Sequence, residues 1–329
     1  MTTFSTDIDA AVKILRDGGV VAFPTETVYG LGADALNAHA VARLFAIKGR
    51  PAQHPVIVHL PGVEHLPRWA REIPAAAYDL ARRFWPGPLT IILKRAAGVP
   101  DAVTGGQDTV GVRVPGHPVA LELLRRFDGG IAAPSANRFG HLSPTRAGHV
   151  HAELGDAVDL ILEGGPSRVG LESTIISLAG ERPAILRPGC ISRAVLQEAL
   201  HQTVSPHAAQ EESAPRAPGT LEAHYAPRTP LRLVSADAIH DAAMALLSCG
   251  HRVGVLGPVA QKRKWPVHVN LHKYPMPNTP EEYARDLYAT LHQADDDELD
   301  YLLVQEAPQD EEWLAVRDRL QRAAHTHKE

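Results

Sequence analysis

Two α/β domains joined by an extended linker are what this chain predicts, on three observations. Short apolar runs alternate with helical patterns over residues 1–202, separated by glycine-marked connections, as in a large, mixed sheet covered by helices. Residues 203–229 lose apolar periodicity and fill with Pro, Ala, Ser, Gln and Glu, the composition of a linker or extended arm. Residues 230–329 return to alternating strands and helices, enough for a smaller domain, doubly wound in style.

Ile8 to Arg16 reads as a helix stopped by Gly18-Gly19. Val20-Val21-Ala22-Phe23 is an apolar strand that opens into a loop of hydroxyls and glycines beginning at Pro24. Asn37 is placed to cap the next helix, whose apolar face holds Val41, Leu44, Phe45 and Ile47. That helix exits through Lys48-Gly49-Arg50-Pro51, where Gly49 and Pro51 stop it. Val56 to Leu60 is a short buried strand carrying His59, and Ala75 to Phe84 is helical. Trp85-Pro86-Gly87-Pro88 is a sharp turn, followed by strands at Leu89–Leu93 and Thr109–Val114. Leu121 to Phe127 is a helix leading to the strand Ile131–Ala133 and the loop PSANRFGHLSPT. A helix at Arg146–Leu154 and strands at Leu160–Leu162, Thr174–Leu178 and Ala184–Arg187 complete the first domain. In the second, strands at Leu231–Val234, Val253–Leu256 and Tyr301–Val304 are separated or followed by helices at Asp237–Leu247, Pro280–His292 and Glu311–Arg322.

Of the 329 residues, 33 are basic and 38 acidic, for a net charge of −5, so no global basic bias announces nucleic acid. The two cysteines, Cys190 and Cys249, are far apart in sequence, which argues against a disulfide framework and for a reducing cytoplasm. No run approaches membrane-span length and no signal core opens the chain, so a cytoplasmic protein without membrane contact is expected.

The chemistry gathers at strand ends. Lys48 and Arg50 alone would read as a solvated helix terminus. The glycine between them and the hydroxyl loop before them instead point to a small anion such as phosphate or carboxylate. Ser135, Asn137 and Ser143 lie on a loop just past a strand, where ligands bind in open α/β sheets. The donor-rich loop from Gly164 to Thr174 could wrap phosphate with backbone amides, though it carries no Walker or dinucleotide fingerprint. Glu26, Asp34 and Glu172 are the nearest acids, and Glu26 could equally cap a loop. His59 reads as a core histidine, and His149 and His151 as surface residues outside any metal set.

The blocks PTETVYGLG, KGRP, IVHL, WPGPLTIIL, TVGVRVPGHP, PSANRFGHLSPT, GLESTI and LRPG, in this order, resemble the YrdC-type family. With APGTLEAHYAP and a further domain, the chain is similar to the long, two-domain threonylcarbamoyl-AMP synthases. The resemblance implies a YrdC-like first domain with a large twisted mixed sheet and an open cleft, and a Rossmann-like second domain. It also implies condensation of L-threonine, bicarbonate and ATP into threonylcarbamoyl-adenylate and pyrophosphate. The product would feed a separate transferase machinery that modifies an adenosine of tRNA. Thr27, His59, Arg113, Ser135 and Ser173 would form the threonine side. Arg50, His54, Thr109, Asn137, Ser143 and Arg187 would form the ATP side, with Lys48 and Arg50 as the catalytic cations. Tyr225, with His224, would fold over the cleft from the linker as a lid. Mg²⁺ would ride on the ATP, with no ligand from protein side chains.

His54 stands where the family usually has asparagine, and Ser177 where it often has an acid. Two other classes are weighed. Members of the family are linked to double-stranded RNA, which would make this an RNA-binding or ribosome-assembly module with a weak RNA contact; the net charge argues against that as the main role. A carbamoyl-transfer maturation factor would need zinc-type cysteine pairs, which two distant cysteines do not supply.

Overall fold

The computed structural model describes residues 3–206, 215–221 and 223–325. Residues 207–214 and 222 of the expected linker lie outside the described residues, as do the terminal residues 1–2 and 326–329. The chain divides into two compact units. The first comprises the residues up to Phe139 and Ser143–Thr220, and the second Gly140–Leu142 with Leu221 onward.

The first unit is built on ten strands: β1 Thr3–Ser5, β2 Val21–Phe23, β3 Gly30–Asp34, β4 Ile57–His59, β5 Leu89–Lys94, β6 Thr109–Arg113, β7 Ile131–Ala132, β8 Leu160–Leu162, β9 Thr174–Ser177 and β10 Ala184–Arg187. They form one sheet in the order β1-β8-β2-β3-β7-β4-β6-β5-β9-β10. The sheet is mixed: β4–β6 and β5–β9 run parallel, whereas β2–β3, β4–β7 and β5–β6 run antiparallel. Both faces are covered. Along β2, Ala22 joins one apolar cluster and Val21 and Phe23 the other, the period-two alternation of a doubly buried strand.

β3 replaces part of the loop expected after Phe23. Its sequence, Gly-Leu-Gly-Ala-Asp, lacks the β-branched residues that mark strands, and packing explains the choice. A Cβ on Gly32 would stand 2.7 Å from the Phe23 ring and 2.8 Å from Ile131. Only a bare backbone fits between β2 and β7. Gly49 ends the Ala38–Lys48 helix in the left-handed conformation (φ 63°), and its N–H bonds back into the last turn. Asn37 caps the other end, its side-chain oxygen accepting from His39 and Ala40 N–H. The helix Arg193–Leu200, which the sequence pattern did not announce, follows β10.

The second unit is a four-stranded parallel sheet: β11 Leu231–Val234, β12 Val253–Gly257, β13 Leu271–Pro275 and β14 Tyr301–Gln305, in the order β11-β14-β12-β13. The expected helices stand at Ile239–Ser248, Pro280–Asp296 and Leu314–His325. β13 went unpredicted because it alternates weakly and ends in proline. It lies at the sheet edge, where proline costs no ladder bond. No described helix of either unit is long and apolar enough to cross a membrane.

Candidate active site

Strand ends and loops of the first unit gather most of the expected site residues into three clusters. β4 and β6 run parallel with His59 opposite Arg113, both at the carboxyl ends. The Pro24–Tyr29 segment reaches Arg113 from β2, and the 134–145 segment is stitched to it: Leu31 N–H donates to Pro134 O, Ala136 N–H to Tyr29 O and Tyr29 N–H to Pro144 O. The 164–173 segment closes against both, through Val169 N–H to Glu26 O (2.7 Å) and Ser167 N–H to Thr145 O (3.0 Å).

Arg113 is the centre of one cluster. Its Nε donates to Gly87 O (3.1 Å), its Nη1 donates to Thr27 Oγ1 (3.0 Å), and its Nη2 lies 2.7 Å from Glu26 Oε1. Glu26 Oε2 accepts from Gly116 N–H at 2.8 Å. Thr25 donates to Val28 O, so in the 2.8 Å contact between the Thr25 and Thr27 hydroxyls it is Thr27 that donates. His59 makes an edge contact with Phe23 at 5.9 Å, and its Nδ1 is buried without a partner. Burial holds its imidazole well below its ordinary range, and the Arg113 cation adds to the effect. Both effects disfavour the charged ring.

Ser173, Thr90 and Arg187 form a second cluster. The Thr90 and Ser173 hydroxyls are 2.8 Å apart, and Arg187 donates from Nη2 to Ser173 O (2.9 Å) and Oγ (3.1 Å). Arg187 Nη1 reaches Pro218 O at 3.0 Å. Beside Ser173, Glu172 Oε1 accepts from the Ser143 hydroxyl at 2.5 Å, which joins the 134–145 and 164–173 segments.

Around the helix exit, Lys48 Nζ donates to Ser135 O (2.6 Å) and to Asn137 O. Lys48 therefore spends two of its three N–H groups holding the loop that carries Ser135 and Asn137. Burial drives its ammonium well below the usual lysine range, and Arg50 pushes the same way while Glu153 opposes. Arg50 donates to Pro55 O at 2.8 Å and stacks over Phe139, 5.5 Å from the ring centroid. His54 meets the same Phe139 ring edge-on at 5.3 Å, and burial with the Arg50 charge lowers its pKa. Phe139 thus organises two expected ATP-side residues. No sequence signal marked it, because its role depends on where Arg50 and His54 come to rest.

Thr109 stands apart from Arg113. The two are the first and last residues of β6, about 13 Å apart along the strand, with side chains on one face. Ser135, His54 and Thr109 are half-buried. By contrast, Thr27, Lys48, Arg50, His59, Arg113, Asn137, Ser143, Ser173 and Arg187 are all closed off from water, none more than 8% exposed. Tyr225 belongs to the second unit. Its ring lies 5.1 Å from the buried Arg319 guanidinium, 6.0 Å from Tyr288 and 4.1 Å from His224. His149 is half-buried rather than a surface residue, its Nδ1 accepting from Thr145 N–H at 3.3 Å.

The Sua5–YciO–YrdC family model, described as "Telomere recombination", matches residues 13–189. A second model, described as "Threonylcarbamoyl-AMP synthase, C-terminal domain", matches residues 191–325. The threonylcarbamoyl-AMP synthase of Pyrococcus abyssi is 39% identical over 96% of this chain and 94% of its own length. That of Bacillus subtilis is 37% identical over 98% of this chain and 94% of its own. The solved structure of P. abyssi Sua5 with L-threonine superposes with a TM-score of 0.90 at 37% identity, over 99% of this chain and 98% of that one. Both halves of the chain and its fold are accounted for, and the chain belongs to the family of two-domain threonylcarbamoyl-AMP synthases.

Proposed function

We propose that this chain condenses L-threonine, bicarbonate and ATP into L-threonylcarbamoyl-adenylate with release of pyrophosphate, as a nucleotidyltransferase. The observation that carries the reading is the buried Arg113. Three of its five N–H groups face Gly87, Thr27 and Glu26, and two remain for the carboxylate of an amino acid. Thr27, which accepts from Arg113, and His59, the register partner of Arg113 on β4, supply a hydroxyl and an imidazole beside it. Ser135 and Ser173 are the further hydroxyls we assign to the threonine side.

The threonine ammonium gives up a proton, and the neutral amine then adds to carbon dioxide with loss of a second proton, or to bicarbonate with loss of water, giving a carbamate. A carbamate oxygen then attacks the α-phosphorus of ATP and pyrophosphate leaves. Arg50 and Arg187 are the cations that offset charge on the phosphates, with His54, Thr109, Asn137 and Ser143 as neutral partners. Lys48 acts through the loop it holds. Carbamate and the mixed anhydride both hydrolyse readily, so side chains shut off from water are suited to them.

Mg²⁺ fits this donor set as a passenger on the triphosphate, where it would screen phosphate charge. The clusters are dominated by cations, hydroxyls and amides, and their two carboxylates already face protein groups, Glu26 beside the Arg113 cation and accepting from Gly116 N–H, Glu172 accepting from Ser143. We place the protein in the cytoplasm, where its product passes to the transferase machinery that modifies tRNA.

Pyrophosphate release from ATP tests the reading, with and without L-threonine and bicarbonate, and with serine and valine as controls. Release is expected only with threonine and bicarbonate together, and Arg50→Ala or Arg113→Ala should abolish it. Release indifferent to threonine would mean a nucleotide site with a different second substrate.

A further inference from the structure

We propose that Glu26 is the residue that binds the ammonium of the amino acid, so that Glu26 and Arg113 together form a clamp for a zwitterion. The inference rests on the reading above, that an amino acid occupies the Arg113 cluster, and it adds a residue and a selectivity to that reading.

Glu26 and Arg113 are side by side and buried, yet the pair is incompletely satisfied. Nη2 and Oε1 approach to 2.7 Å, but neither atom has an aligned hydrogen-bond partner. The contact is a charge pair off the hydrogen-bonding axis. A buried polar atom left in that condition carries an unrelieved desolvation penalty, which a ligand supplying the missing partners would remove. What is missing is specific. Nη2 needs an acceptor and Oε1 needs a donor, on atoms 2.7 Å apart, and an α-amino acid carries a carboxylate and an ammonium on one carbon.

Thr27 points the same way. Its proton is committed to Thr25 and one lone pair receives Arg113, so what it has left to offer is an acceptor. An ammonium would meet two acceptors, Glu26 Oε1 and Thr27 Oγ1. Glu26 is itself held rigidly, its Oε2 by Gly116 N–H and its backbone carbonyl by Val169 N–H. The carboxylate is therefore aimed before a substrate arrives. A ligand bearing a hydroxyl in place of the ammonium would bring no positive charge to Oε1.

Calorimetry on the full chain tests this, with α,β-methylene-ATP present and bicarbonate left out. The ligands are L-threonine and the 2,3-dihydroxybutanoate of the same configuration, which exchanges the ammonium for a hydroxyl. The wild type should prefer threonine by about ten- to a hundredfold, the usual range for a charge-assisted hydrogen bond. Glu26→Gln should shrink that preference to within about threefold, with binding of the hydroxy acid held or tightened because Arg113 is released. A wild type without the preference, or a Glu26→Gln chain in which both ligands change by one factor, would overturn the proposal and leave Glu26 as a counterion to Arg113. A wild type that binds neither ligand would instead sink the amino-acid reading itself, and this inference with it. Should Glu26→Gln fail to fold, Glu26→Asp keeps the charge but withdraws it by one methylene. The preference should then fall at least about threefold, and an unchanged preference counts against the clamp.

Discussion

His59 and Arg113 are register partners on the adjacent parallel strands β4 and β6, and the fixed cation of one helps to keep the ring of the other uncharged. That relationship makes folding stability depend on pH. In the unfolded chain His59 takes a proton near its ordinary value of 6.5, whereas the buried ring resists it. The unfolded state therefore binds more protons as pH falls below 6.5, and stability is lost in that direction. The loss is about 1.4 kcal/mol per pH unit from this group until the folded ring titrates. Urea denaturation of the wild type and His59→Asn between pH 5 and 8 should show a steeper acid-side fall in the wild type. Parallel curves would mean that His59 is not held neutral.

Ser173 ties two strands and a cation together. Ser173→Ala leaves the Thr90 hydroxyl and Arg187 Nη2 each short of a contact in a buried setting. The expected cost is about 1–3 kcal/mol of folding stability, measured by chemical denaturation, alongside a raised KM for threonine. A variant as stable as the wild type would show that these hydroxyls are interchangeable with methyls.

Lys48 donates two of its three N–H groups to the loop after β7. Lys48→Met removes the ammonium from Ser135 O and Asn137 O while keeping the length of the side chain. Amide exchange at Ala136 and Phe139 should quicken, exchange within β5 and β6 should not, and KM for ATP should rise. Unchanged exchange with lost turnover would return Lys48 to a direct role at the phosphates.

Much of the architecture was legible because strong local signals agree with burial. The helices Ile8–Arg16 and Ala75–Phe84 fall where glycine pairs and the Trp85-Pro86 turn end the apolar period. β3 was not legible, since its glycines are demanded by Phe23 and Ile131, residues distant in sequence or on another strand. In the site, the blocks of the sequence named the cations and hydroxyls, but not how they are spent. The spacing marks Lys48 as an anion-site cation but does not show that it also bonds Ser135 O and Asn137 O. Glu26 reads as either a site acid or a loop cap, and the structure has it beside Arg113 and accepting from Gly116 N–H at once. Such pairings are set by strand register, which a linear pattern does not carry.

On the proposed reading, specificity and foldedness would be written in the same atoms, because these polar groups are seated at strand ends and enclosed by the sheet's own segments. Families that display their chemistry on exchangeable loops can drift to new substrates with the scaffold intact. Here a change at Glu26, Thr27 or Arg113 also disturbs the packing of β2 or β6. New amino-acid preferences should therefore be reachable chiefly from backgrounds first stabilised elsewhere in the chain, and a directed-evolution campaign would do well to begin there.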